Sequence, residues 1–352
     1  MHHFATVNDR KIKFALVGCG RIARNHFAAL QEHRDHAQLV GVCDVDEKVL
    51  RAAVDVTAAK PYDSLTALLA ECDADIVALT TPSGLHPEQT IQIATNRRHV
   101  MTEKPMATRW HDGLQMVKAC DEAGVRLFVV KQNRKNATLQ LIKNAISKGR
   151  FGRIYMVNIN VFWTRPQDYY DSAKWRGTWE LDGGAFMNQA SHYVDLLDWL
   201  IGPIESVQAY TGTLARNIEV EDTGVMSIRW RSGTLGSLNA TMLTYPKNLE
   251  GSITILGEKG SVRIGGVAVN EIQHWEFADS DPDDEAVTRA SYKTTSVYGF
   301  GHALYYDNVI KTLRGEEKPE TDGREGLKSL ELLIAAYLSA RDGRRVALPL
   351  DY

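Results

Sequence analysis

No apolar run in the chain approaches the ~20 consecutive residues that a membrane helix needs. No charge of one sign dominates either: 41 Lys and Arg stand against 44 Asp and Glu, a formal net charge of −3. The first absence predicts no membrane partner. The second removes the basic footprint that coats phosphate backbones, so no nucleic acid is expected. Cysteine is scarce, with four residues at 19, 43, 72 and 120 and no CxxC spacing. That pattern fits neither a disulfide scaffold nor a thiolate zinc site, and predicts buried free thiols in a reducing cytoplasm. The opening MHHFATVNDRK lacks the apolar segment and cleavage site of a secretory leader, which also points to a cytoplasmic location. Histidines 26, 33 and 36 come without a supporting carboxylate pattern, so no metal is assigned. The acidic stretch 279–286 (DSDPDDEA) reads as a solvated loop. What is present is 352 residues, 44% hydrophobic and 24% charged, which suits about two globular domains.

The first third alternates short apolar runs with helical stretches. Residues 12–17 (IKFALV) read as a buried strand and lead into Gly18-Cys19-Gly20-Arg21-Ile22-Ala23; a second run at 39–43 ends in Asp44. Strand, G-x-G-x-x-A turn, helix, strand and acidic residue together form a dinucleotide fingerprint in its required context. Gly18 permits the tight turn and Gly20 lets backbone approach a pyrophosphate. Arg21 and Ile22 open a helix whose free N–H groups face anions. Asp44 would accept from ribose hydroxyls and repel a 2′-phosphate, so NAD is expected over NADP. Further strand ends carry Thr80-Thr81-Pro82-Ser83, Glu103-Lys104-Pro105 and Lys131-Gln132-Asn133-Arg134. The pattern predicts an N-terminal Rossmann-type doubly wound parallel sheet in residues 1–135, with these clusters meeting in one crevice.

From about residue 138 the pattern changes to closely spaced strands with apolar–polar alternation, at 154–162, 207–214, 223–230, 234–244, 252–256 and 262–264. The whole therefore reads as α/β, with a C-terminal α+β domain (136–352) built on a large open, mostly antiparallel sheet. One face of that sheet would suit a second subunit. The apolar helix at 327–340 is expected to pack back on the first domain.

The order of motifs resembles the Gfo/Idh/MocA family of sugar and polyol oxidoreductases. The matching residues are the GxGxxA turn, Thr81-Pro82 with Leu85-His86, and Glu103-Lys104-Pro105. Gly183-Gly184-Ala185, Asn188, His192-Tyr193-Val194-Asp195 and Gly257-Glu258-Lys259-Gly260-Ser261 follow in the same order. Segments such as RIYMVNINVFWTRPQDYYD and WRGTWELDGGAFMNQASHYVDLLDWLIGP resemble one bacterial subgroup of the family, the WlbA-type UDP-N-acetylglucosaminuronate 3-dehydrogenases. The resemblance implies NAD-dependent oxidation of the sugar C3 hydroxyl in a homo-oligomer, a tetramer formed through the C-terminal sheet. It further implies a role in making UDP-2,3-diacetamido-2,3-dideoxy-mannuronate for lipopolysaccharide O-antigen. On this reading Gly18, Gly20, Arg21, Ile22, Asp44, Thr81, Pro82, His86, Glu103, Lys104, Gln132, Asn133, Trp175 and Arg176 hold the cofactor.

Oxidising a secondary alcohol needs a hydride acceptor, a base and stabilisation of the developing alkoxide. Lys104, His192 and Asn188 are the catalytic candidates. On the helix expected over 184–200, Asn188, His192 and Asp195 would share one face. Many family members carry aspartate where this chain has Asn188, and asparagine cannot accept a proton at neutral pH, so a lysine–aspartate–histidine relay is weakened. The base is then His192 or Lys104, and His192 is favoured, with Lys104 polarising the hydroxyl. An anionic UDP-sugar acid needs local cations and flat faces. Lys104, Lys131, Arg134, Arg165, Tyr169, Asn188 and His192 are the substrate-binding candidates. A free-sugar or inositol dehydrogenase, or a non-catalytic NAD-bound regulator, are the rival readings.

Overall fold

The computed structural model describes Phe4, residues 6–294, Val297 and residues 300–350. The chain divides into two compact units, Met1–Lys131 with His302–Leu330, and Gln132–Gly301 with Glu331–Tyr352. The first unit ends at Lys131 and resumes at His302, so it is discontinuous. Sequence periodicity could not reveal that the chain re-enters it.

In the first unit, strands β1 (Ile12–Val17), β2 (Ala37–Cys43), β3 (Lys60–Tyr62), β4 (Ile76–Leu79), β5 (His99–Thr102) and β6 (Leu127–Val129) pair in parallel in the order β3-β2-β1-β4-β5-β6. Helices α1 (Ala23–Glu32), α2 (Glu47–Thr57), α3 (Leu65–Glu71), α4 (His86–Thr95) and α5 (Trp110–Ala123) make the crossovers. The order reverses between β1 and β4, and such a switch point is where doubly wound sheets bind ligands. Asp46 caps α2 by accepting from the amides of Lys48 and Val49, and Ser64 caps α3 through the Ala67 amide. No side chain caps the first turn of α1.

The second unit begins with α6 (Ala137–Ser147) and contains α7 (Gln167–Asp171), α8 (Ser191–Ile201) and α9 (Val287–Ala290). Its strands are β7 (Ile154–Phe162), β8 (Ile204–Gly212), β9 (Thr223–Trp230), β10 (Leu235–Thr241), β11 (Glu250–Gly257), β12 (Gly260–Gly265), β13 (Glu271–Phe277) and β14 (Val346–Ala347). They form one sheet, β13-β12-β11-β7-β10-β9-β8-β14, in which only β7 and β10 run parallel. One face buries Val157, Ile159, Val161, Ile253, Ile255, Leu238 and Trp230. Helix α8 lies on that side, where the Trp230 indole donates to the Leu197 carbonyl at 3.2 Å. The other face is mixed rather than broadly apolar. Asn158, Asn160, Ser237 and Asn239 form a hydrogen-bonded centre, and Met156, Leu235, Leu256, Val225 and Tyr210 are exposed around it.

The chain returns to the first unit in α10 (Gly301–Leu313), whose Tyr306, Val309, Ile310 and Leu313 join the core under β1 and β6. Helix α11 (Gly323–Asp342) gives its first turns to the first unit and the rest to the second. A Cβ on Gly326 would lie 2.6 Å from Val129 Cγ2. Beyond Leu330, Ser339 accepts from the Ala209 amide at 2.9 Å.

The acidic stretch is not simply solvated. Lys148 bonds Asp281 and Asp283, and Arg150 bonds Asp279 and Asp284, so the loop is pinned to the end of α6. All four cysteines are free and buried. Among the described residues no helix is long and apolar enough to cross a membrane.

Candidate active site

The loop after β1 is held from both sides. Gly18 has φ +91°, and a Cβ there would lie 2.8 Å from the Thr80 carbonyl carbon and the Thr81 nitrogen, so the β1 and β4 loops touch. Only glycine meets both demands. Asp44 accepts from the Cys19 amide at 2.7 Å and the Asp46 amide at 2.9 Å, which fixes the loop while leaving the carboxylate half-exposed. A Cβ on Gly20 would meet nothing within 4 Å. Open backbone there, uncapped amides at the start of α1 and an acidic residue at the end of β2 fit a dinucleotide, with Gly18, Gly20, Arg21 and Ile22 along its phosphates and Asp44 at a ribose.

His86 joins two more of the clusters. Its Nε2 lies 3.0 Å from the Thr81 carbonyl and its Nδ1 lies 3.1 Å from the Pro105 carbonyl, and burial lowers its pKa. Lys104 is half-buried and precedes a cis Pro105. Glu103 is buried. Its Oε1 receives His26 Nε2 at 3.0 Å and His302 Nε2 at 3.4 Å, and its Oε2 accepts from the Lys104 amide at 3.1 Å. His26, Glu103 and His302 bring three possible ligand atoms within 4.8 Å of one another, a cluster that sequence spacing did not reveal. The separations to Oε1 are those of hydrogen bonds, and Tyr306 Oη completes the set at 2.8 Å from His26 Nδ1. Lys131, expected at the substrate, is buried and donates to Ser329 at 2.6 Å.

In the second unit, the helix expected over 184–200 is broken. Ala185–Gln189 form a single π-helical turn, and α8 begins after Ala190. Such turns recur at functional sites because they re-aim side chains. The three residues expected to share a face take three separate partners. The Asn188 amide donates to Asp182, His192 Nε2 lies 2.9 Å from the Gln132 amide nitrogen, and Asp195 takes Arg134. Arg134 was expected to face substrate, but its Nε and a terminal nitrogen bond both Asp195 oxygens at 2.7 and 2.8 Å in a buried pair. Gln132, expected at the cofactor, thus orients the candidate base. Its Oε1 and the Asn133 Oδ1 are buried acceptors without a partner in the structure, so each would welcome a donor such as a carboxamide.

Arg165, Tyr169, Trp175 and Arg176 do come together. Arg176 donates to Tyr169 Oη at 2.6 Å, and its guanidinium carbon sits 4.3 Å from the Tyr169 ring centre and 4.4 Å from that of Trp175. Arg165 lies 5.5 Å over the same tyrosine ring and donates to Gln189 at 3.0 Å. Arg176 Nε is a buried donor without a partner. Two guanidiniums around one half-buried tyrosine suit an anion. Gln189, which joins these contacts, and Asp182, which holds Asn188, carried no sequence signal because their partners lie elsewhere in the chain.

Glu221 supports the π-turn. One oxygen accepts from the Phe186 amide and the Tyr337 hydroxyl, both at 2.8 Å, while Oε2 is unpaired against Gly184. Burial lifts this carboxyl from 4.5 to about 7. Below pH 4.5 both folded and unfolded chains hold the proton. Between 4.5 and about 7 only the folded chain holds it, so this group's contribution to stability declines as pH rises and is flat above. The loss is expected to reach roughly 3 kcal/mol. Urea unfolding at pH 5 and pH 8 should show it in the wild type and much less of it in Glu221→Gln.

Comparison with known proteins shows the family. Residues 12–131 match the model of the Gfo/Idh/MocA oxidoreductase family's NAD-binding Rossmann fold, and residues 143–348 match that of its C-terminal alpha/beta domain. The crystal structure of the WlbA dehydrogenase from Chromobacterium violaceum, in complex with NADH and UDP-GlcNAcA, is 73% identical, covers 100% of both chains and superposes with a TM-score of 0.96. The WlbA dehydrogenase from Bordetella pertussis, in complex with the same two molecules, is 69% identical over 98% of this chain and 100% of its own, with a TM-score of 0.96. Among curated relatives, the D-apiose dehydrogenase of Paraburkholderia graminis is 26% identical across 97% of this chain and 91% of its own.

Proposed function

The chain belongs to the Gfo/Idh/MocA oxidoreductase family, and on that premise we propose that it oxidises the C3 hydroxyl of UDP-N-acetyl-D-glucosaminuronic acid to a ketone with NAD⁺. The observation that carries the substrate is the full-length identity of 69–73% to two dehydrogenases in complex with NADH and UDP-GlcNAcA. NAD, when bound, supplies the hydride acceptor. The chain's own residues supply the rest. Lys104 donates a hydrogen bond to the reacting oxygen and offsets the charge that develops there. His192 takes the hydroxyl proton on its Nε2 lone pair, the hydroxyl displacing the Gln132 amide N–H that occupies it here. Asn188, held by Asp182, orients a sugar hydroxyl or the imidazole without accepting a proton. Arg165 and Arg176 around Tyr169 hold substrate anions, a provision that a free-sugar dehydrogenase would not need.

We also propose a homotetramer that buries the mixed face of the second unit's sheet, a cytoplasmic location and, following the family resemblance, a role in O-antigen precursor synthesis. Sedimentation measures the assembly state directly. The test of the activity is purified protein with NAD⁺ and the UDP-sugar acid, followed by NADH absorbance. NADH should form, if necessary only after a keto-acid acceptor or an aminotransferase that consumes the 3-keto product is added. No signal under either condition would sink the assignment.

A further inference from the structure

The π-turn that precedes α8 cannot cap itself. Gly184 stands at its N-terminal end with no side chain to offer, and the turn's own bonds start only at the Asn188 amide, which reaches the Gly184 carbonyl at 3.0 Å. Ala185, Phe186 and Met187 are buried, and their amides have no acceptor within the turn. All three find one elsewhere. The Ala185 amide donates to the Glu221 carbonyl at 2.9 Å, the Phe186 amide to Glu221 Oε1 at 2.8 Å and the Met187 amide to Tyr337 Oη at 3.1 Å. The Tyr337 hydroxyl donates in turn to Glu221 Oε1 at 2.8 Å, so one oxygen gathers the last two. A residue just ahead of β9 and another on α11 thus take the place of the missing cap. The fit is close. A Cβ on Gly184 would collide with Glu221 Oε2, and the Tyr337 ring lies edge-on to Trp179 at 5.2 Å and tilted against Phe186 at 6.4 Å.

Asn188 lies within the turn so held, and His192 lies in the first turn of α8 directly after it. We infer that Glu221 and Tyr337 are positioning residues for Asn188 and His192, which they place by holding the π-turn at its N-terminal end. Glu221 Oε2 makes no hydrogen bond, so the hold is through Oε1, and a glutamine would keep an oxygen for both donors. The inference rests on the dehydrogenase reading for what His192 does, but the placement of His192 is measurable without turnover.

The test compares Tyr337→Phe, Glu221→Ala and Glu221→Gln. Tyr337→Phe keeps the ring against Trp179 and Phe186 while the Met187 amide loses its acceptor. Its kcat for the UDP-sugar should fall about tenfold, with KM and NADH affinity within about twofold. Glu221→Ala should cost up to about 10²-fold, and Glu221→Gln should stay within about threefold of the wild type. In a His192→Ala background Tyr337→Phe should add little further loss, since residues that act through one another are not additive. Diethyl pyrocarbonate modification of His192, followed by mass spectrometry on the NAD-bound protein, reads the placement directly. It should change at least about threefold in rate in Tyr337→Phe and Glu221→Ala and stay near wild type in Glu221→Gln. Tyr337→Phe carries the test if Glu221→Ala does not fold. Unchanged His192 labelling in Tyr337→Phe overturns the inference. So does an effect on KM alone, or a loss that adds in full to that of His192→Ala. If the labelling changes but the wild type oxidises no UDP-sugar, the substrate reading fails and the positioning of His192 stands.

Discussion

Replacing His192 with alanine is expected to lower kcat for UDP-sugar oxidation by about 10²–10⁴-fold, the range over which a positioned general base contributes. NADH binding should change little. The expectation follows from where the ring sits: at the first turn of α8, buried, with the Gln132 amide nitrogen 2.9 Å from Nε2 and directly after a π-turn that sets its direction. Lys104→Met should cost about 10²–10³-fold, the loss typical of removing one donor to a developing oxyanion. The two variants should also differ in kind. Without His192 the acid limb of the pH profile should flatten, whereas without Lys104 that limb should persist at a lower plateau. If His192→Ala kept near-full turnover while Lys104→Ala abolished it, the lysine would be the base and the assignment of roles would reverse.

Asp195→Ala should lower the free energy of unfolding by about 3–5 kcal/mol, because it strands a buried guanidinium. Both side chains are nearly inaccessible, at 6% for Arg134 and 3% for Asp195, and their two hydrogen bonds tie the 132–135 turn to α8 one turn past His192. Replacing both partners with apolar residues, as Arg134→Met with Asp195→Leu, should recover much of that loss. Urea denaturation of the wild type, Asp195→Ala and the double variant forms the test. The same set decides what Arg134 does. If it bound substrate, Arg134→Met would raise KM for the UDP-sugar with stability nearly unchanged. The buried pair requires the opposite, a large loss of stability and an effect on kcat that follows His192.

The dinucleotide fingerprint was legible in the chain itself. Glycine at 18 and 20, the strand that precedes them and an acid at 44 are local signals, since each answers a demand of backbone geometry or charge within one βαβ unit. The alternation of strands and helices fixed the parallel sheet in the same way, and apolar–polar alternation fixed the second sheet. What the sequence could not supply is which polar groups meet. Glu103 reads as a ligand contact until α10 brings His302 and Tyr306 back from 200 residues away. Arg134 and Lys131 read as free cations until Asp195 and Ser329 take them up. Asn188 and His192 read as parts of one continuous helix until a π-turn interrupts it and their hydrogen bonds go to Asp182 and Gln132. The physical reason is common to all three. Periodicity and motif spacing record local backbone demands, whereas a buried charge or hydrogen bond takes its partner from whichever element the fold packs beside it.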